Sequence, residues 1–306
     1  MTATAFGALA IILVGVVLRR AGVLREEDGH VMVRVVLYAT LPALVFLIIV
    51  RADLTPTLLL VPLAGFIIHG VMVAGAWAGC RLAGRDRPTT GAFIIATAVG
   101  NTGFFGLPLI AASGGEFLQA AGVMYDALCT AVITWTSTVA IAAAFSPRSD
   151  GGARVDPRSL VSGLTLPPTW GLAAGLAWNL TVGHDIPGGA ERPLEIMAGA
   201  VLPLVMLYAG VMVDLSRVRA RWRPVAVAAA VRLGIGPVVG FGVGWALGLD
   251  GIVLHTVVIM SAMPTAMMSL VLGAREGLDA DLLAGAVVVT TLLCTLTLPL
   301  VRTLIA

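Results

Sequence analysis

Residues 96–110 read ATAVGNTGFFGLPLI, and residues 258–267 read VIMSAMPTAM. In each, glycine or proline interrupts an apolar run at its middle, with small hydroxyl or amide side chains beside the interruption. A helix broken at bilayer mid-depth exposes backbone groups that lipid cannot satisfy, so such a break is tolerated only against protein or a water-filled cavity. A corresponding pair of breaks in two half-chains is the sequence mark of a transporter binding site. The two stretches stand half a chain apart, and the remaining sequence arranges itself around them.

Composition places them in a membrane. Of the 306 residues, 58% are hydrophobic and only 12% are charged, about half the charged fraction of a soluble domain. All 19 basic residues are arginine and the net charge is +2, so neither nucleic acid nor an acidic partner is expected. Cys80, Cys129 and Cys294 lie in apolar runs without CxxC or metal-like spacing, which makes them buried packing residues and no metal site. Residues 1–18 carry no charge, and Arg19 and Arg20 follow the apolar core. That is the reverse of a signal peptide, so the first segment reads as a retained span.

About 20 apolar residues cross a bilayer core. Ten segments meet that test, near 4–20, 30–50, 56–80, 89–112, 118–145, 159–181, 193–213, 224–248, 252–274 and 281–302. Arginines in the loops after the odd-numbered spans total 14, against 3 on the other side (Arg51, Arg192, Arg302), with Arg34 and Arg232 inside spans. The positive-inside rule then puts both termini outside the cytoplasm.

The stretch 146–158, SPRSDGGARVDPR, is a Gly-, Pro- and charge-rich linker that divides the chain into residues 1–145 and 159–306, five spans each. An odd number of spans per half forces the halves into opposite orientations, an inverted repeat if they are alike. At an offset of 163, Asn101-Thr102 falls on Pro264-Thr265 and Ala121-Gly122 on Ala284-Gly285; at 161, Leu41-Pro42 falls on Leu202-Pro203. The expected fold is an all-α polytopic membrane protein of ten transmembrane helices, two inverted five-helix repeats with broken helices four and nine.

In the fourth span Gly100, Gly103 and Gly106 free the backbone and Pro108 removes a helical hydrogen bond, so unwinding is expected around Asn101–Gly106. The N-terminus of the second half-helix suits a carboxylate, and Asn101 and Thr102 add donors and acceptors. In the ninth span Pro264 makes the break, with Ser261, Thr265 and Ser269 beside it. Asp126, eight residues into the fifth span, is a costly isolated carboxylate and the candidate for coupling a proton or cation. Arg232, nine residues beyond Arg223, lies about 13 Å along its helix. It could neutralise an anionic substrate or pair with Asp126.

Other features read as structure. His69 and His255 are lone histidines, expected buried and hydrogen-bonded. Gly236, Gly240, Gly244 and Gly248 recur along one face of the eighth span and invite a close helix neighbour, and Pro42 and Pro203 should kink their helices. No HExxH, GxSxG or P-loop is present, so the sequence does not read as an enzyme and offers no ATP site. Any uphill transport would use an ion gradient, of protons or sodium, or a substrate gradient, with no cofactor.

LPALVF at 41–46, GNTGFFGLPL at 100–109, LPLVMLYAG at 202–210, VRLGIGP at 231–237 and AMPTAMMSLVL at 262–272 resemble the auxin efflux carrier family, which includes plant auxin exporters and bacterial permeases for malonate, malate and related acids. The resemblance implies the ten-span fold shared with bile-acid symporters and sodium/proton antiporters. In that fold spans one, two, six and seven form a scaffold and the others a transport domain, whose crossed breaks hold the substrate carboxylate. Carried onto this chain, that site is Asn101 and Pro264 with their neighbours. The short linker points to the bacterial branch and so to a bacterial inner membrane.

The expectation is therefore an elevator-type secondary carrier of small organic anions. Asn101, Thr102, Gly103, Ser261, Pro264, Thr265 and Arg232 bind the anion, Asp126 couples an ion, and a homodimer is left open. A cation/proton antiporter and a non-transporting membrane sensor are the alternatives.

Overall fold

The computed structural model describes residues 2–112, 115–147, 167–213 and 215–305. Among them every regular element is a helix. In chain order these are α1 (Thr2–Arg20), α2 (Glu26–Val50), α3 (Pro56–Leu82), α4 (Arg87–Ala98), α5 (Thr102–Ala111), α6 (Phe117–Phe145) and α7 (Pro167–Thr181). Then come α8 (Glu191–Val211), α9 (Leu215–Ala220), α10 (Trp222–Ala246), α11 (Gly251–Ser261), α12 (Met267–Arg275) and α13 (Ala280–Ile305). Six of the described helices, α2, α3, α6, α8, α10 and α13, are long and apolar enough to cross a membrane. The interrupted fourth segment appears as α4 and α5, and the ninth as α11 and α12. Of the linker at 146–158, only Ser146 and Pro147 fall within the described residues, and the sixth segment is described only from Pro167.

Two helix pairs pack backbone to backbone. A Cβ added at Gly171 of α7 would lie 2.5 Å from the Pro42 carbonyl oxygen of α2, and one at Gly175 would lie 3.0 Å from Ile49 Cβ. Asn179 fastens the same pair by donating to the carbonyls of Ile49, Val50 and Ala52 at 3.0, 3.0 and 2.8 Å. In the second pair, α1 and α8, a Cβ at Gly15 would lie 3.0 Å from Gly210 Cα. Small residues let membrane helices approach this closely. Arg51, at the end of α2, joins α8 through Glu191 and Glu195 at 2.6 and 2.7 Å.

The glycines of α10 behave as their spacing predicts, with one exception. A Cβ at Gly236 would lie 2.8 Å from the Ser261 carbonyl oxygen, one at Gly240 2.8 Å from Ser261 Cβ, and one at Gly244 2.5 Å from a Leu254 methyl, so α10 lies flush on α11. Gly248 stands outside the helix with φ 71°, ending it in the left-handed conformation that glycine adopts without strain. Pro42 and Pro203 each follow a local irregularity. Wider π-type turns run over Val36–Thr40, and a turn at Ala200 separates Glu191–Gly199 from Val201–Val211. A proline cannot donate to the carbonyl four residues back, which accounts for both.

Candidate functional site at the crossed helix breaks

The two breaks meet. Asn101 N–H donates to the Pro264 carbonyl at 2.7 Å and Ala266 N–H to the Val99 carbonyl at 3.0 Å, forming an isolated antiparallel bridge at Gly100 and Thr265. Each interruption thus supplies hydrogen bonds that the other needs, as backbone buried away from water requires.

The first break is shorter than the sequence suggests. Only Val99–Asn101 leave the helix; Thr102–Gly106 already wind as wide π-type turns into α5, with the N–H groups of Phe105 and Gly106 both on the Asn101 carbonyl at 3.2 and 3.1 Å. Gly106 and Pro108 therefore lie inside α5. Pro108 sits in the first α turn, where its missing N–H costs least. Gly106 is a packing notch, since a Cβ there would meet Met260 Sδ at 3.1 Å and Met263 Cγ at 3.2 Å. Gly100 and Pro264 stand at the breaks themselves.

A helix C-terminus leaves four carbonyls without intrahelical partners, and α4 ends in the protein interior. All four are met. The Ile95 carbonyl accepts from the Val99 N–H at 3.3 Å and from Ser269 Oγ at 3.4 Å, Ala96 from Thr265 Oγ1 at 2.7 Å, Thr97 from Arg232 Nη1 at 3.2 Å, and Ala98 faces His69 Nδ1 at 3.3 Å. At the end of α11, Arg232 Nε donates to the Met263 carbonyl at 2.7 Å. One guanidinium thus spans the negative ends of both half-helices. It projects from π-type turns at Val231–Ile235 within α10.

Neither Asn101, preceding α5, nor Ala266, preceding α12, caps its helix with a side-chain hydrogen bond. Both N-termini line a cavity of about 100 Å³, together with Asp126 and Thr130 of α6 and Leu41 of α2. Asn101 is 3% exposed, and its side-chain Nδ2 has no hydrogen-bond partner. Thr102 donates from Oγ1 to Asp126 Oδ1 at 2.5 Å, and the carboxylate lies over Gly103, where a Cβ would sit 3.0 Å from Oδ2. Asp126 stands nine residues into α6, about 14 Å along the helix and well away from its end.

The structure sorts the expected site residues into two sets. Gly100, Asn101, Thr102, Gly103 and Asp126 line the cavity. Ser261, Pro264, Thr265 and Arg232 lie behind it as framework. Ser261 Oγ donates back to the Val258 carbonyl at 2.8 Å, and Thr265 is locked between Ala96 and Thr290, whose Oγ1 accepts its N–H at 3.0 Å. Arg232 makes no ion pair with Asp126; Gly100 stands beside its Nη2, so its charge reaches the cavity only past that residue. His69 is buried and bonded as expected, its Nε2 2.8 Å from Ser137 Oγ, whereas His255 is only partly buried. Sequence reading passed over Thr97, Thr290 and Met267, whose types are common in any apolar helix. The three cysteines are free and buried.

Among the described residues every regular element is a helix, and six are long and apolar enough to cross a membrane, as a multi-pass membrane protein requires. A family model described as membrane transport protein matches residues 4–302. An uncharacterized transporter of Methanothermobacter thermautotrophicus is 30% identical over 303 residues, 98% of this chain and 96% of the relative. Another, of Methanocaldococcus jannaschii, is 25% identical over 293 residues, 92% of each chain. Auxin efflux carrier component 1 of Arabidopsis thaliana is 29% identical over 122 residues, 39% of this chain and 19% of that protein. The chain belongs to the auxin efflux carrier-like family of membrane transport proteins.

Proposed function

We propose that the chain is a secondary carrier of small organic anions, mono- or dicarboxylates such as malonate or malate, with auxin-like acids as the nearest variant. The observation that carries this reading is the buried, unpartnered Nδ2 of Asn101, a residue lining a cavity that the positive ends of α5 and α12 also line. Donors and helix N-termini directed at one space favour a carboxylate. Asn101, Thr102 and Gly103 are its binding residues.

Asp126 couples the movement to a proton. An anion entering beside an ionised Asp126 meets like charge at close range, and two carboxylates sharing a small site hold one proton between them. Thr102 keeps Asp126 at the edge of the anion site.

The α1–α8 and α2–α7 pairs form the scaffold, and the crossed breaks travel against it with α3, α6, α10 and α13. The close glycine contacts within each pair support that division. This is the elevator arrangement of an inverted repeat, with both termini outside the cytoplasm, on the arginine-poor side of a bacterial inner membrane.

The test is uptake of labelled malonate, malate, acetate and indole acetate into proteoliposomes under imposed proton and sodium gradients. Saturable uptake of one acid, accelerated by an inward proton gradient, supports the carrier. Proton flux driven by sodium, with no acid moved, would replace it by a cation/proton antiporter built on Asp126, and binding without flux by a sensor.

A further inference from the structure

We infer that the groove between α3 and α10 is a binding site for an anionic phospholipid. It has a volume of about 420 Å³ and is lined by Gly75 and Gly79 of α3, Val227 and Ile235 of α10, and Arg85 and Arg223 at one end. α10 packs on α3 through its later half, Gly236–Ala246. Val227 and Ile235, 54% and 50% exposed, face the space left beside the earlier half. Added Cβ atoms at Gly75 and Gly79 would meet nothing within 4 Å, so the missing side chains leave a channel and relieve no clash. An apolar channel in a membrane-spanning chain is filled by an acyl chain.

Charge selects the headgroup. Among the described residues neither Arg85 nor Arg223 forms an ion pair; Arg223 lies only over the Trp222 ring, 5.2 Å from its centroid. The neighbouring acids are engaged elsewhere. Asp86 accepts from Thr89 N–H at 3.2 Å, and Asp279 pairs with Arg221 at 3.1 Å. Two guanidinium groups without an ion pair, at the arginine-rich end of an acyl channel, match a lipid phosphate without a compensating amine, such as that of phosphatidylglycerol. The inference rests on membrane insertion alone and is independent of the transported substrate.

Native mass spectrometry of the intact detergent-purified protein, titrated with phosphatidylglycerol and phosphatidylcholine of identical chains, tests it. The first bound phosphatidylglycerol should be held about thirtyfold more tightly than phosphatidylcholine, given two arginines at the headgroup. Arg85→Gln with Arg223→Gln should bring the two lipids within about twofold of each other. Gly75→Leu with Gly79→Leu, which fills open space and leaves the arginines in place, should weaken both lipids. Soluble glycerol phosphate should not compete. Equal affinity for the two lipids in the parent, a preference that survives loss of both arginines, unchanged binding in the leucine variant, or displacement by glycerol phosphate would each overturn the site.

Discussion

Arg232 Nε lies 2.7 Å from the Met263 carbonyl while Nη1 of the same guanidinium lies 3.2 Å from that of Thr97, so one side chain holds the C-terminal ends of two broken helices. Such ends and their unwound carbonyls are where carriers of this build coordinate sodium. Here a fixed cation occupies that position, and uptake by the parent protein should be unchanged when sodium is replaced by choline. Sodium-stimulated uptake would refute this. Arg232→Ala strands two buried carbonyls at about 1–3 kcal/mol each, lowering the melting temperature and abolishing uptake. Arg232→Lys should recover only part of both, because an ammonium cannot span two carbonyls with a planar fork.

Asn101 separates binding from stability. Because its Nδ2 has no partner within the protein, Asn101→Ala removes no intramolecular bond from that atom and should leave the melting temperature near that of the parent. The half-saturation concentration for the acid should rise about tenfold, the loss of one hydrogen bond to a charged group. A large drop in thermal stability with unchanged half-saturation would reassign Asn101 to the framework.

The breaks were legible in the sequence because glycine, proline and polar residues are conspicuous in an apolar run, and the same contrast exposed Asp126 and Arg232. What those two side chains touch was not legible. Arg232 looked like a charge in search of an opposite charge, yet its guanidinium is satisfied by carbonyl oxygens that every residue possesses and no sequence pattern marks. Thr265 and Ser261 were indistinguishable from Thr102 by type; only the path of each helix decides which hydroxyl faces the cavity and which turns back to the backbone. The extent of the first break was overestimated for a related reason. Glycines permit unwinding without requiring it, and wide turns at Thr102–Gly106 keep the chain helical.

A side chain at either of two glycines should be felt, with different consequences. A Cβ at Gly100 would overlap Arg232 Nη2, whereas one at Gly103 would press on Asp126 Oδ2 at 3.0 Å. Gly100→Ala must displace a buried guanidinium that holds both breaks, so it should lower stability by about 1–3 kcal/mol, in the range of core overpacking, and reduce uptake of every acid alike. Gly103→Ala pushes only on a partly buried carboxylate. It should spare the melting temperature and change the pH dependence of uptake. If both variants behave alike in thermal unfolding, the division between framework and cavity is wrong.

Thr102 and Asp126 decide the coupling. The 2.5 Å bond from Thr102 Oγ1 stabilises a carboxylate that would repel an incoming anion, so substrate and proton must arrive together if both occupy the cavity. In the parent, the half-saturation concentration for the acid should therefore rise with pH, about tenfold per pH unit once Asp126 is ionised in the empty carrier, because each bound anion then recruits one proton. Asp126→Asn removes the charge and the proton site at once. It should bind the acid with little dependence on pH and exchange it across the membrane, but a proton gradient should no longer drive accumulation. Thr102→Val withdraws a hydrogen bond from the ionised form alone and so favours protonation, which should move the rise in half-saturation to higher pH without uncoupling. Gradient-driven accumulation that persists in Asp126→Asn would place the coupling proton elsewhere, and a Thr102→Val profile identical to that of the parent would show that the bond has no part in setting it.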